Sequence, residues 1–318
     1  MVAASRRSAA VIVRVLGSAA GGGVPQWNCA CANCTAARSG DAPHRSSSSF
    51  AISATGERFW LVNVSPDIAQ QIESYAPLQP RAERGTPIAG MLLTDANVDH
   101  LGGLAVLRQA GDHAFAIYST PTVRTLATAQ EAFATFASPP HRWNAIAPGA
   151  RFVLDDALAV DVIAIAGLTP GYAGRIPRGD AVVGYAITDL ASGERVLFAP
   201  VFMDVTPALV AAATAADAAF FDGSFWSDDE LAGVGVAKAA RSLGHAPVGG
   251  PAGSLAALRR LPPGARRFYA HLNNTNPLLD ERSDAARELR AAAFAIAYDG
   301  LELRFGASLR APEPSVSL

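Results

Sequence analysis

The stretch Ile88-Ala89-Gly90-Met91-Leu92-Leu93-Thr94-Asp95-Ala96-Asn97-Val98-Asp99-His100-Leu101-Gly102-Gly103-Leu104 decides how this chain is read. Ile88 to Leu93 is apolar and reads as a buried strand, and Ala105 to Gln109 reads as a helix start. Between them lies a polar loop carrying Asp95, Asn97, Asp99 and His100. Loops at the carboxyl end of a strand are where α/β proteins place ligands. Asp99 and His100 are neighbours, so a regular strand would point them to opposite faces. An irregular turn, permitted by Gly102 and Gly103, is expected to aim both at one point.

This loop resembles the metal loop of the metallo-β-lactamase superfamily, His-x-His-x-Asp-His, and reads here Asp95-x-Asn97-x-Asp99-His100. The last two ligands of the pattern are present and the first two are replaced. In that superfamily the leading histidines serve one metal of a pair and the Asp-His serves the other. Losing one half argues against an ordinary dinuclear hydrolase. The fold that the resemblance implies is of the α/β class, a four-layer αββα sandwich of two mixed sheets with outer helices.

The rest of the chain agrees with that architecture. Strand-like runs recur at 11–16, 50–54, 59–64, 88–93, 114–118, 158–165, 182–187, 196–198, 218–221, 267–269 and 301–305. Thr120-Pro121 and Thr206-Pro207 each supply an N-cap and a proline for a first helical turn, opening helices at 122–133 and 208–215. Further helices fit 254–261 and 283–293. Strands before helices in both halves suggest two packed sheets. One domain over 1–310 is expected, with a disordered tail at 311–318. The glycine- and proline-rich stretch 167–180 is long enough for a lid or a plain connection.

Composition narrows the class. Half of the 318 residues are apolar, enough for a large core, and the net charge is −2 with the charges mixed along the chain. That balance recommends no nucleic acid. The longest small-apolar stretch, Leu209 to Ala216, is too short to span a membrane. Arg6-Arg7 superficially suggests a secretory signal, but Arg14 interrupts the short apolar run behind it, so Val11 to Leu16 reads better as a first strand. A cytoplasmic location is the expectation.

All three cysteines fall within Cys29-Ala30-Cys31-Ala32-Asn33-Cys34. If the loop curls, three thiols can converge on one soft cation, and a closed tetrahedral zinc site then needs a fourth ligand from elsewhere. The zinc loop at 29–34 would be structural, since four protein ligands leave no open position. Buried cysteines without metal are the alternative.

The run Gly17-Ser18-Ala19-Ala20-Gly21-Gly22-Gly23-Val24-Pro25-Gln26-Trp27-Asn28 leads straight into those cysteines. Taken with the loop at 93–100, Phe221-Asp222-Gly223-Ser224-Phe225-Trp226, Gly244-His245 and His271-Leu272-Asn273-Asn274-Thr275-Asn276-Pro277, it is similar to the pyrroloquinoline quinone (PQQ) biosynthesis protein B family. The resemblance spans roughly 11–305. In the superfamily the last metal-binding histidine follows a late strand, which matches His271. Some superfamily phosphodiesterases with a three-cysteine site place the fourth zinc ligand three residues later. That position is Asn274; asparagine is a poor zinc ligand, so the fourth ligand stays open. No histidine stands near Gly167-Leu168-Thr169 and no aspartate near Phe198-Ala199-Pro200, where the superfamily has two further ligands. Asp67 follows an early strand and is read either as support for the metal loop or as a helix-start residue. Asp222 is an additional ligand candidate or a supporting group. His44, His113 and His141 receive no role.

Asp99, His100 and His271 remain. Two histidines and one carboxylate are the ligand type of non-haem iron(II) oxygenases, which keep positions open for O₂ and substrate. The resemblance implies an iron-dependent hydroxylase in quinone cofactor synthesis. It would act with Fe(II) and O₂ on the tyrosine ring of a small peptide-derived Glu-Tyr precursor, alongside structural Zn(II). His245 would transfer a proton or orient the substrate, with Asp95 and Asn97 lining the pocket. A mononuclear metallohydrolase and a soluble carrier assisting transport of the quinone toward the periplasm are the alternatives. A homodimer is left open.

Overall fold

The computed structural model describes residues 11–305; the tail expected at 311–318 lies outside them. Fourteen strands form two mixed sheets of seven among the described residues, and helices cover both outer faces. The first sheet holds β1 (Val11–Gly17), β2 (Ser49–Ser53), β3 (Phe59–Val62), β4 (Ile88–Leu92), β5 (Ala116–Ser119) and β6 (Arg142–Ala145). The second holds β7 (Arg151–Leu154), β8 (Leu158–Ala164), β9 (Val183–Asp189), β10 (Arg195–Ala199), β11 (Ala218–Asp222), β12 (Arg266–Ala270) and β13 (Ala295–Ile296). β14 (Glu302–Phe305) returns to pair with β1.

Each sheet has an antiparallel part and a parallel part. β1, β2 and β3 pair antiparallel, while β3 to β6 run parallel. β7 to β10 pair antiparallel and β10 to β13 run parallel. The parallel strands deliver their carboxyl ends to one rim, and the site lies on that rim.

Three apolar layers explain the sandwich. Between the sheets, Val13, Phe50, Ile52, Val62 and Leu92 meet Val160, Tyr185, Phe198 and Phe220. The Phe50 ring packs 5.1 Å from Phe198 and 5.0 Å from Phe220, within the range that favours tilted aromatic pairs. Outside the first sheet, Ile68, Leu101, Leu104 and Val123 bring helices down on Leu61, Met91 and Ile117. Outside the second, Leu209, Leu255, Leu258 and Leu289 do the same on Leu197, Phe221 and Tyr269. The expected αββα arrangement is the one observed.

The Thr-Pro helix starts form as expected: Thr120 Oγ1 accepts from Val123 N and Thr206 Oγ1 from Leu209 N. The first of these helices is shorter than expected, ending at Thr128, and a 3₁₀ stretch over Glu131–Ala137 follows it. Val11 to Gly17 is a buried strand rather than part of a signal. β6, β7 and β13 and the helix Ala32–Ser39 were not expected from the sequence. No helix among the described residues is long and apolar enough to cross a membrane.

Candidate metal centre

The metal loop is fastened from both sheets. On the first, Val64 N donates to His100 O at 2.7 Å and Gly103 N donates to Val64 O at 3.0 Å. Asn63, held at φ 63°, exchanges hydrogen bonds with Thr94: Asn63 Oδ1 accepts from Thr94 N and Asn63 Nδ2 donates to Thr94 Oγ1. From the second sheet, Val183 N donates to Thr94 O at 2.8 Å and the buried Tyr185 hydroxyl donates to Leu93 O at 2.7 Å. The end of the early strand therefore does support the loop, but through Asn63 and Val64 rather than Asp67. The Asp67 carboxylate accepts from Ser47 N instead.

Asp99 and His100 lie in a short helical turn, Val98–Leu101, and not in an irregular one. Gly102 and Gly103 are both right-handed. These glycines serve close approach, not unusual dihedrals: a Cβ on Gly103 would stand 2.2 Å from Ser65 O. Gly21 works similarly, since its Cβ would lie 3.1 Å from Asp99 Cγ. That contact brings the glycine run after β1 against the metal loop.

His271 follows β12 with φ 58°, a left-handed position that histidine adopts more readily than most residues. Its Nε2 lies 3.2 Å from Asp99 Oδ2, and its ring centroid lies 4.9 Å from that of His100. Asp99, His100 and His271 can thus direct one ligand atom each to a common point. His100 Nε2 is buried and has no hydrogen-bond partner. A buried imidazole nitrogen without a hydrogen-bond partner, beside a carboxylate and a second imidazole, fits a metal ligand.

Asp95 stands behind this set rather than in the cavity. It is fully buried, and its Oδ2 lies 2.6 Å from His100 Nδ1. Asp95 Oδ1 accepts from Asn97 N and Asn97 Nδ2, and Thr94 Oγ1 donates to Asp95 Oδ2. The expectation that Asp95 lines the pocket is corrected; Asn97 does line it. A carboxylate on the far nitrogen fixes the tautomer and makes the ring a better ligand. Burial disfavours a charged His100 ring, yet Asp95 and Asp99 outweigh burial and lift it to about 9. A metal cation at Nε2 would replace that second proton. Burial also opposes ionisation of Asp99, but His100 and His271 hold its carboxyl well below the usual range. Asp95→Asn should keep the fold and weaken metal binding about 10–100-fold, measured by competition with a chelator of known affinity. Unchanged affinity would show that the carboxylate does not tune the ring.

A second cluster meets at Ser224, which the sequence reading did not single out. Ser224 Oγ lies 2.7 Å from His271 Nδ1 and 2.9 Å from His245 Nδ1, and it donates to Asp222 Oδ1 at 2.6 Å. Asp222, His245 and His271 are close enough to surround an ion. The buried Asp222 is saturated, however. Its Oδ1 also accepts from Ser224 N, and its Oδ2 accepts from Phe202 N and pairs with His245 Nδ1. Four partners occupy the capacity of a carboxylate, and through Asp222 and Ser224 the cluster holds His245 and His271 in orientation. Burial opposes charging of His245, and the Asp222 carboxylate more than compensates, raising it. His245 lines the same cavity as Asn97, Asp99 and His271.

The cysteines converge as the sequence suggests. Cys31 caps the helix Ala32–Ser39 and Cys34 lies in its first turn, so one helical turn supplies the curl. The three sulfurs lie within 4.8 Å of one another. Asn274 is at the cluster: its Nδ2 stands 3.3 Å from Cys34 Sγ and 3.6 Å from Cys31 Sγ. An amide nitrogen donates and cannot ligate; turning the amide over would present Oδ1. Burial pushes the Cys34 thiol up. At Cys31 burial acts the same way, but hydrogen bonds from Cys34 N, Cys29, Cys34 and Asn274 bring the thiol below its ordinary value. The remaining histidines have structural partners: His44 with Ala37 O, His113 with Ile88 O, and His141 with Phe115 N.

Comparison with known proteins agrees with this geometry. The β-lactamase superfamily domain matches residues 34–271. Coenzyme PQQ synthesis protein B of Methylobacillus flagellatus is 38% identical over 311 residues, covering 92% of this chain and 99% of the relative. The Rhizobium meliloti (strain 1021) protein of that name is 40% identical over 299 residues, covering 91% and 96%. The crystal structure of Zn²⁺-bound PqqB from Methylobacterium extorquens superposes with a TM-score of 0.86 at 37% identity, covering 92% and 99%. A diphosphatase of the PhnP family, with a TM-score of 0.68 at 17% identity, shares the fold. With its trimmed metal loop, its late histidine and its cysteine cluster in place, the chain belongs to the coenzyme PQQ synthesis protein B family of the β-lactamase superfamily.

Proposed function

We propose that Asp99, His100 and His271 hold a single iron(II) ion and that the protein hydroxylates the tyrosine ring of a Glu-Tyr-derived precursor in PQQ synthesis, using O₂. The observation that carries this reading is the unpaired, buried His100 Nε2 facing Asp99 and His271, while Asp222 of the neighbouring set is taken up by four hydrogen-bond partners. When bound, iron supplies reductive activation of O₂ at positions the three protein ligands leave open. Converting a phenol to its ortho-quinone with one O₂ releases one water. One oxygen atom enters the ring, and the catechol so formed gives up the two electrons and two protons that complete the water. No external reductant is needed.

The chain's own residues handle position and protons. Asp222 and Ser224 hold His245 Nδ1, so its Nε2 is the end left to take or give a proton. Asp222 also stabilises the imidazolium that results. Ser224 fixes His271 Nδ1, so His271 offers Nε2 to the centre. Asp95 does the same for His100. Asn97, which lines the cavity, would hold a phenolic oxygen in this reading. The cysteine cluster holds structural zinc in this reading, with Asn274 beside it, and has no part in the chemistry.

The zinc named with the Methylobacterium extorquens relative favours a second reading, a mononuclear hydrolase that uses a metal-bound water. Labelled O₂ separates the two. Iron-loaded protein and a tyrosine-containing substrate should give a catechol carrying one labelled oxygen, read by mass spectrometry after reductive trapping. Turnover that proceeds equally well without O₂ and with zinc in the site would replace the oxygenase reading with the hydrolytic one.

A further inference from the structure

Arg45 is a buried cation with one edge unused. It is 8% exposed and held at both ends. Its backbone exchanges two hydrogen bonds of 2.8 Å with Val24, and its Nη1 donates to Ser18 Oγ at 2.9 Å and to Ala297 O at 2.6 Å. Its Nε and Nη2 have no partner among the described residues, and neither belongs to the unpaired polar atoms that are sealed from solvent. Those two nitrogens form one edge of the guanidinium plane, whose parallel N–H bonds match the two oxygens of a carboxylate. Among the described residues no carboxylate stands within ion-pair distance of Arg45. Burial lowers its pKa from the ordinary arginine value, with Asp299 and Glu281 acting the other way, and an arginine stays charged throughout. A buried charge is costly unless it is paired.

Two cavities of about 480 Å³ each meet at this side chain, and His44, Arg45 and Asp299 line both. Each size falls within the roughly 300–1,000 Å³ usual for small-molecule sites. Neither shares a lining residue with the cavity over the metal centre. The first is polar and includes Arg14, Asp67 and Gln70. Arg14 is already engaged there, 3.9 Å from Glu302 Oε2 and 4.7 Å over the Tyr75 ring. The second is apolar, with Leu278, Leu289, Phe294 and Ile296 on its wall beside β13, the edge strand of the second sheet. Its charged lining residues, Glu281 and Arg290, are exposed.

The neighbouring carboxylates limit the charge of a ligand. Asp299 lies within hydrogen-bond reach of four donors, the N and Oγ of Ser18 and of Ser46, so it asks nothing of a ligand. Asp67 accepts from Ser47 N. With both on the wall, a dianion such as phosphate is repelled, whereas a single negative charge balances Arg45. We propose that Arg45 anchors a second ligand site, which takes an organic monocarboxylate with an apolar body. The carboxylate sits on the Nε–Nη2 edge and the body lies among Leu289, Phe294 and Ile296. This site is separate from the metal centre and does not depend on the reaction performed there.

The probes are para-bromophenylacetate, its amide and inorganic phosphate, each added to metal-loaded wild-type protein. Calorimetry should detect the acid, and the amide should bind about tenfold more weakly, because it offers the arginine edge no charge and one acceptor fewer. Phosphate should not displace the acid. In soaked crystals the anomalous signal of bromine should lie beside Phe294, which separates this site from a carboxylate bound at the metal. Arg45→Lys keeps the buried charge and loses the flat edge, so affinity should fall about tenfold in a sample whose circular dichroism matches the wild type. Arg45 also ties Ser18 to Ala297, so a variant that leaves it in place is needed too. Ala295→Trp adds bulk at an exposed position on the apolar wall and should abolish binding with fold and metal content unchanged. The proposal is overturned if the wild-type protein does not bind the acid, if acid and amide bind alike, or if phosphate binds more tightly than the acid. Bromine found only at the metal centre, or Ala295→Trp protein that binds the acid as the wild type does, would overturn it as well.

Discussion

Alanine at His271 should empty the centre of iron and abolish turnover together. Removing a group that merely orients a ligand costs about 10–100-fold in metal affinity, so removing a ligand should exceed 100-fold. Iron per chain after anaerobic gel filtration, read beside activity, gives the answer. His100→Ala should do the same and also destabilise the fold. It leaves the fully buried Asp95 without the ring 2.6 Å away, and breaking a buried pair from one side costs about 3–5 kcal/mol. His271 is the cleaner test, because its lost partners, Ser224 and Asp99, keep other contacts. Asp99→Asn should weaken metal binding by removing charge while keeping shape. A His271→Ala protein that retains a full equivalent of iron would sink the assignment.

The same experiment bears on how many metals the loop can hold. Asp95 is engaged with His100 and Asn97, and Asp222 is saturated by four partners. Neither has a lone pair to spare for a second ion. Crystals soaked in excess zinc or manganese should therefore show one ion in the loop pocket. Two full ions about 3.5–4 Å apart would mean that the Asp222 cluster opens to bind one.

How much of this was legible in the sequence depended on the kind of signal. Residue types at 94–103 announced a ligand loop, and the paired Thr-Pro starts announced two helices. Both are local chemistry. The geometry of the loop was not local. Gly102 and Gly103 invited an irregular turn, but their role is to let the loop pack against Val64 and Ser65, a contact made 35 or more positions away in sequence. β6 and β7 were missed because they are short and carry Arg142, Asn144 and Arg151 on half-exposed faces, which blurs alternation. The helix Ala32–Ser39 had a readable stop in Gly40, which adopts φ 85°. Ser224 carried no signal beyond following Asp222, and its role as a hub appears only once His245 and His271 are brought to it. Pairing His271 with a loop 171 residues earlier came from family resemblance, since spacing along the chain cannot report it.

Cys31→Ser should lower zinc content and thermal stability in step. The cysteine cluster joins parts of the chain far apart in sequence. Asn33 Nδ2 donates to Asn274 O and Asn276 O, and Ala20 N donates to Leu272 O, so the loop is stitched to the segment that carries His271. Zinc in small isolated sites provides about 10–16 kcal/mol of apparent binding energy. Here that figure is an upper guide, because three apolar layers already hold the sheets together. A loss of about 3 kcal/mol would lower Tm by about 4–5 °C for a chain of this size. Cys29 and Asn274 also line the cavity that adjoins the one over the metal centre, so the zinc-free variant should bind substrate more weakly while its iron content is unchanged. That separation distinguishes a structural zinc from a catalytic one. Wild-type protein that melts at its normal temperature with no zinc bound would show that the thiols hold the loop by hydrogen bonds alone.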